Sequence, residues 1–135
     1  VTVQLVRSAR LYGGVPYAYA AIAPPGSLVF TAGACPLDES GAVVGAGDVR
    51  LQARQVVANL RVALADAGVA LSDVTKTTIY VASADRDDLV AVWDEVRAAF
   101  GDHDAPSTLL GVAVLGYPGQ LVEVEAAAVA AGGRR

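Results

Sequence analysis

Cysteine and histidine are almost missing from this chain: its 135 residues hold one of each, Cys35 and His103. A lone cysteine excludes an intrachain disulfide and a cysteine zinc cluster, and a lone histidine excludes a multi-histidine metal site. Basic runs are missing as well, apart from the terminal Arg134-Arg135. With a net charge of −4, the chain offers no electrostatic footprint for nucleic acid, whose binding rests on Lys and Arg contacts to phosphate. No stretch approaches the length of a membrane span, and the first residues lack the basic-then-apolar pattern of a signal peptide. These absences lead us to expect a cytoplasmic protein with neither a nucleic-acid nor a membrane partner. Large aromatics are also scarce, at one tryptophan, five tyrosines and two phenylalanines.

Small apolar residues, chiefly alanine and valine, fill the place of the missing types. A hydrophobic content of 54% against 18% charged residues describes a globular chain rather than a disordered one. Its length suits a single domain, residues 1–135, large enough to bury a core. A chain so apolar and so short is expected to hide part of its surface in an oligomer.

Apolar–polar alternation predicts a strand over Val1–Val6. Tyr17–Ile22 and Leu28–Ala32, separated by Pro24-Pro-Gly-Ser27, predict two more that pair as a hairpin. Residues 37–47 are polar, acidic and glycine-rich, and predict a loop. Asp48 is a plausible N-cap for a helix whose stripe is Ala53, Val56, Val57, Leu60, Leu64 and Ala67, stopped by Gly68. Val74–Val81 is β-branched and predicts a strand. Asp85, Asp87 and Asp88 suit the first turn of a second helix, with Leu89, Val92, Trp93, Val96 and Phe100 as its stripe. Gly101–Asp104 ends that helix. Two apolar runs, Leu109–Leu115 and Leu121–Val129, follow as strands joined by a hairpin or short loop at Gly116-Tyr-Pro-Gly-Gln120.

The order β-β-β-α-β-α-β-β predicts an α+β fold in which both helices cover one face of a mixed sheet. The last two strands are apolar on both faces, and no third helix is available for the second face. A neighbouring copy of the chain is the economical cover.

Within Leu121–Val129, period-two alternation sends Glu123 and Glu125 to one face. Two carboxylates on so apolar a strand face water, a partner or a cleft. They therefore mark either a wet edge or a functional carboxylate. Cys35 reads as a small buried hydrophobe or a reactive thiol. Trp93 fits the helix stripe and equally a ligand-stacking wall. His103 falls in a polar loop and is expected to be exposed. Ser107 has no histidine base in sight, so nucleophilic serine chemistry is not expected of it.

Gln52-Ala-Arg-Gln55, Asn59-Leu60, Ala67-Gly68, Ser72–Thr78 and Val122-Glu-Val-Glu-Ala126 together resemble the RidA/YjgF family, the reactive enamine/imine deaminases also called the endoribonuclease L-PSP family. Pro16-Tyr17, Gly26 and Thr31-Ala-Gly33 match its N-terminal pattern in the same order, so the resemblance spans residues 16–130. It implies a chorismate-mutase-like fold assembled as a homotrimer, with sheets packed around the three-fold axis and ligand clefts between subunits. It also implies cofactor-free hydrolysis of 2-imino acids to 2-keto acids and ammonia. By the same resemblance Glu123 orients the attacking water, Tyr17 lines the cleft and Gly33 offers a backbone amide.

One departure stands out. In the family's Pro-Ala-Arg-Ser motif the arginine forks onto the substrate carboxylate, a task its planar donors suit. Here the segment reads Ala105-Pro106-Ser107-Thr108, with Ser107 at the arginine's position. The family's cysteine is Leu109 and its helix asparagine falls at Trp93. Losing such a buried charge-assisted pair costs on the order of 2–5 kcal/mol. Arg10 or Arg54 would have to supply another cation, if one is supplied.

Two functions remain open on the residues. One is a deaminase whose pocket, formed by Tyr17, Gly33, Trp93, Ser107, Thr108 and Leu109, has shifted toward less anionic imines. The other is a non-catalytic trimer that binds a small metabolite in the same clefts. A ribonuclease, as the older family name implies, would lack paired histidines here and would be acidic.

Overall fold

A computed structural model describes residues 2–131. Val1 and Arg134-Arg135 lie outside the described residues. The elements run β1 (Gln4–Val6), β2 (Ala20–Ile22), β3 (Gly26–Phe30), α1 (Val49–Asp66), β4 (Val74–Val81), α2 (Arg86–Phe100), β5 (Ser107–Gly111) and β6 (Val122–Ala131). A four-stranded mixed sheet has the order β3-β6-β4-β5, and β1 with β2 forms a separate two-stranded ribbon. This is the expected α+β class. Among the described residues no helix is long and apolar enough to cross a membrane.

Both helices start where their caps direct. Asp48 accepts a hydrogen bond from the Leu51 amide at 3.0 Å, and Asp85 accepts one from Asp87 at 2.9 Å. Each thereby satisfies a backbone donor that has no partner within its helix. Gly68 and Gly101 follow the helix ends with φ of +84° and +62°, a region that non-glycine residues enter only at a cost. Val56, Leu60 and Leu64 of α1 and Val92 and Val96 of α2 are buried against Ile79, Val81, Val122 and Val124 of the sheet. Ile79 pairs with Val124 and Val81 with Val122 across the two strands, so all four point to one side and the helices share one face of the sheet. Ala67, expected in the stripe, is exposed at the C-cap of α1.

Strand pairing departs from expectation in two places. The Tyr17–Ile22 and Leu28–Ala32 strands do not form a hairpin: Ala20–Ile22 pairs with β1, and Gly26–Phe30 pairs antiparallel with Ala127–Ala131 of β6. Pro24 and Pro25 supply no N–H for a ladder, so the chain leaves the ribbon there and joins the larger sheet. The last two strands do not pair either. β5 lies parallel to β4, connected through α2, while β6 runs antiparallel to β4 on its other side. Residues 112–121 must therefore cross the end of β4 to reach β6. That crossing ends the strand at Gly111 rather than Leu115, and leaves Val114 78% exposed despite its apolar surroundings in sequence.

The crossing segment is held by a buried amide. Gln52, fully buried on α1, donates to the carbonyls of Gly45 (3.1 Å) and Gly119 (2.9 Å) and accepts from the Leu121 amide (2.7 Å). Asn59, one helical stretch further on, donates to the carbonyls of Cys35 and Leu37 at 2.8 Å each. Helix α1 thus fixes both loops that flank β6. Replacing Gln52 by leucine keeps the volume and strands these backbone groups, so Gln52→Leu is expected to lower unfolding free energy by about 1–3 kcal/mol. Urea denaturation of both proteins measures it, and equal midpoints would show that the clamp contributes nothing.

Candidate functional site

Residues directly paired across strands share a face of the sheet. Ser107 pairs with Thr77, and Leu109 with Ile79, on the face that carries the helices. Glu123 pairs with Tyr80, and Glu125 with Thr78, on the opposite face. The residues singled out from sequence therefore form two groups, separated by the thickness of the sheet.

The first group surrounds a cavity of about 340 Å³ lined by Pro16, Tyr17, Val90, Trp93, Ser107 and Leu109. Tyr17 and Trp93 meet edge to face, with ring centroids 6.2 Å apart and planes at 86°, a favoured aromatic geometry. Trp93 packs on the core with one part and lines the cavity with another. The Ser107 hydroxyl donates to the Ala105 carbonyl at 2.9 Å and lies 2.6 Å from the hydroxyl of buried Thr77. With its proton committed to Ala105, it accepts from Thr77. Ser107 is tied into the sheet, and neither of its hydrogen-bond partners, Thr77 and Ala105, is a base.

Cations lie elsewhere. Arg54 pairs with Glu95 at 2.8 Å on the outer side of the helices, where Arg50 also reaches Glu95 at 3.0 Å. Arg10 is exposed in the loop after β1. Arg97 borders a small adjoining cavity, 3.5 Å from Asp104, which also holds Arg7 at 2.8 Å. Thr108 points away from Ser107, as alternation requires, and accepts from the Lys76 ammonium at 2.7 Å outside the aromatic cavity. His103, expected to be exposed, is half-buried, with Nε2 2.7 Å from the Val74 carbonyl. The carbonyl can only accept, so Nε2 carries the proton.

The second group centres on Glu123. After Phe30 the chain leaves the β6 ladder: the Thr31 amide still donates to Ala126, but the Ala126 amide turns to the Thr31 hydroxyl at 3.0 Å. It rejoins at Ala34, which exchanges hydrogen bonds with Val124. The detour brings Gly33 under the Glu123 carboxyl group, and a Cβ at position 33 would overlap that group. Glycine is required here for space.

Two donors fix Glu123 Oε1: Gln120 Nε2 at 3.1 Å and the Cys35 thiol at 3.5 Å. Gln120 is buried and is itself held by the Tyr117 amide and the Val122 carbonyl, each at 3.1 Å. Oε2 accepts no hydrogen bond from the described residues. In the sequence Gln120 looks like part of a turn, and Tyr80 looks like one more residue of a β-branched strand. Burial, with the carboxylates of Glu125 and Glu123 adding to it, pushes the Tyr80 phenol above its ordinary pKa. Only the cross-strand register, which no local pattern shows, sets that residue beside Glu123.

Cys35 is not an activated thiol. Burial and the neighbouring Glu123 carboxylate both push its pKa up, outweighing the Gln120 contact that lowers it. Nucleophilic thiols are held low, not high. Among the described residues no group of three or more His, Cys, Asp or Glu side chains is placed to hold a metal ion.

The family profile described as Endoribonuclease L-PSP matches residues 8–130. A RutC family protein of Pyrococcus horikoshii is 36% identical over 114 residues, covering 84% of this chain and 86% of its own. A 2-iminobutanoate/2-iminopropanoate deaminase of Salmonella typhimurium is 40% identical over 81 residues, 59% of this chain and 60% of its own. Among solved structures, a conserved Rid family protein of unknown function from Yersinia pestis superposes with a TM-score of 0.90 at 28% identity, covering 96% of this chain and all (100%) of the other.

The Cys35–Glu123 contact yields a direct test, because Cys35 is the only cysteine. In Glu123→Gln the negative neighbour that raises the thiol pKa is gone, so the thiolate fraction at a given pH increases. Alkylation of Cys35 by iodoacetamide, followed by mass spectrometry from pH 7 to 10, is expected to shift its profile to lower pH in the variant. An unmoved profile would contradict the contact.

Proposed function

This chain belongs to the endoribonuclease L-PSP family, the RidA/YjgF proteins, and from that premise we propose that it is a cofactor-independent deaminase of reactive enamines and imines. The observation that carries the reading is Glu123: one carboxyl oxygen is locked by Gln120 and Cys35, and the other is free above Gly33. A carboxylate held in that way suits orientation of a water and shuttling of its proton. The reaction balances without a co-reactant. The water oxygen adds to the imine carbon while one water proton passes through Glu123 Oε2 to nitrogen, giving a carbinolamine. Glu123 then takes the remaining hydroxyl proton and delivers it to nitrogen as the C–N bond breaks and the C=O bond forms, leaving a carbonyl compound and ammonia. An enamine enters the same path after protonation at carbon to give the imine.

Substrate contacts fall to Tyr17, Trp93, Ser107 and Leu109 on one side and to the Gly33 amide on the other. Thr108, turned toward Lys76, is left out of this assignment. Since the two groups occupy opposite faces of the sheet, we propose that they meet between copies of the chain, in a homotrimer whose sheets surround the three-fold axis. Leu28 and Phe30, 64% and 74% exposed on the Glu123 face, support a covering by neighbouring subunits. Ser107 in the arginine's place favours a second reading, a trimer that binds a small metabolite without turning it over.

Ammonia release separates the two. Imines generated in situ by an amino-acid or amine oxidase are supplied to the wild type and to Glu123→Gln. A deaminase accelerates release, and the variant loses that acceleration by a factor on the order of 10²–10⁴, the range for a positioned acid–base group. No acceleration with any imine would leave the binding protein as the reading.

A further inference from the structure

We infer that the Tyr17–Trp93 cavity selects an uncharged, apolar group about the size of a phenyl ring, so that this protein acts on imines or enamines of neutral carbonyl compounds rather than of 2-keto acids. The inference about the substrate rests on the deaminase reading; the inference about the ligand group rests on the cavity alone.

Four of the six lining residues, Pro16, Val90, Trp93 and Leu109, present apolar walls. The remaining two offer only hydroxyls, and that of Ser107 already donates to Ala105. Among the described residues no cation lines the cavity. Arg97, a guanidinium of the adjoining small cavity, faces the carboxylate of Asp104 at 3.5 Å. A carboxylate moved into such surroundings loses hydration and gains at most the Tyr17 hydroxyl as a donor, with no cation, whereas a neutral group loses little.

Size and shape agree with charge. A dry apolar cavity of about 150 Å³ holds a benzene ring, and the volume here is about 340 Å³. Tyr17 and Trp93 stand nearly perpendicular, at 86°. A flat ring stacked on one therefore presents its edge to the other, and both contacts are favourable.

Trp93 is the only tryptophan in the chain, so its fluorescence reports occupancy of the cavity without requiring turnover. Phenylacetamide and phenylacetate, near-isosteres that differ in charge, are titrated into the wild-type protein, with acetate as the small anion. Phenylacetamide is expected to shift Trp93 emission saturably and to bind at least about tenfold more tightly than phenylacetate. Acetate is expected to have no effect.

Ser107→Arg restores a cation to the wall and is expected to narrow or reverse that preference. Should the loss of the Thr77 contact unfold it, Val90→Arg places the cation at the exposed rim with the same expected direction. Equal or tighter binding of phenylacetate by the wild type, or emission unmoved by any ligand, would overturn the inference. The two levels also separate in the ammonia assay. Hydrolysis of imino acids but not of neutral imines would overturn the cavity assignment and leave the deaminase standing. Amide-selective binding with no hydrolysis of any imine would do the reverse.

Discussion

Adjacent residues on a strand face opposite sides of a sheet, and in this protein that alternation decides where chemistry is possible. Through β4 it puts Ser107 and Leu109 on the side of the helices, and Glu123 with Tyr80 on the opposite side. An aromatic cavity and a positioned carboxylate thus come from one chain and cannot meet within it. In the reading we propose, a single copy holds both halves of the site and completes neither. The oligomer we propose follows from this geometry as much as from the exposed Leu28 and Phe30.

Each half is built by backbone-level devices. Glu123 owes its orientation to Gln120, which is buried in the segment crossing β4, and to the missing side chain at Gly33. Both depend on α1. Gln52 anchors the crossing segment, and Asn59 anchors the Cys35–Leu37 loop. The cavity half depends on α2, whose Trp93 serves the core and the cavity together. Substitutions in the helices, distant from the carboxylate in sequence, therefore reach the site through named hydrogen bonds.

Helices and their caps were legible from the sequence because they are local: Asp48, Asp85 and the three- and four-residue spacing act within a few turns. Strand partners were not. Ala- and Val-rich strands carry no face preference of their own, so the strands on either side of Gly116–Gln120, which suit a hairpin or a short loop, are not neighbours, and β5 pairs in parallel with β4 through α2. The same limit applied at the site. Glu123, Gly33, Tyr17 and Trp93 were visible as candidates, but their division between two faces emerged only with the register. Gln120 was hidden inside an apparent turn, and Arg54, a candidate cation, proved to be engaged with Glu95.

The claim that one catalytic site is shared between copies is tested most directly by complementation. Glu123→Gln removes the carboxylate half and Leu109→Trp fills the cavity half, and each homo-oligomer is expected to be inactive on its imine. Co-expressed in equal amounts in one cell, the two variants would assemble together. If neighbouring copies contribute opposite halves through a repeating head-to-tail contact, roughly a quarter of the sites combine two intact halves and ammonia release returns to about that level. Mixed oligomers, verified by differently tagged copies, that stay inactive would contradict the shared site.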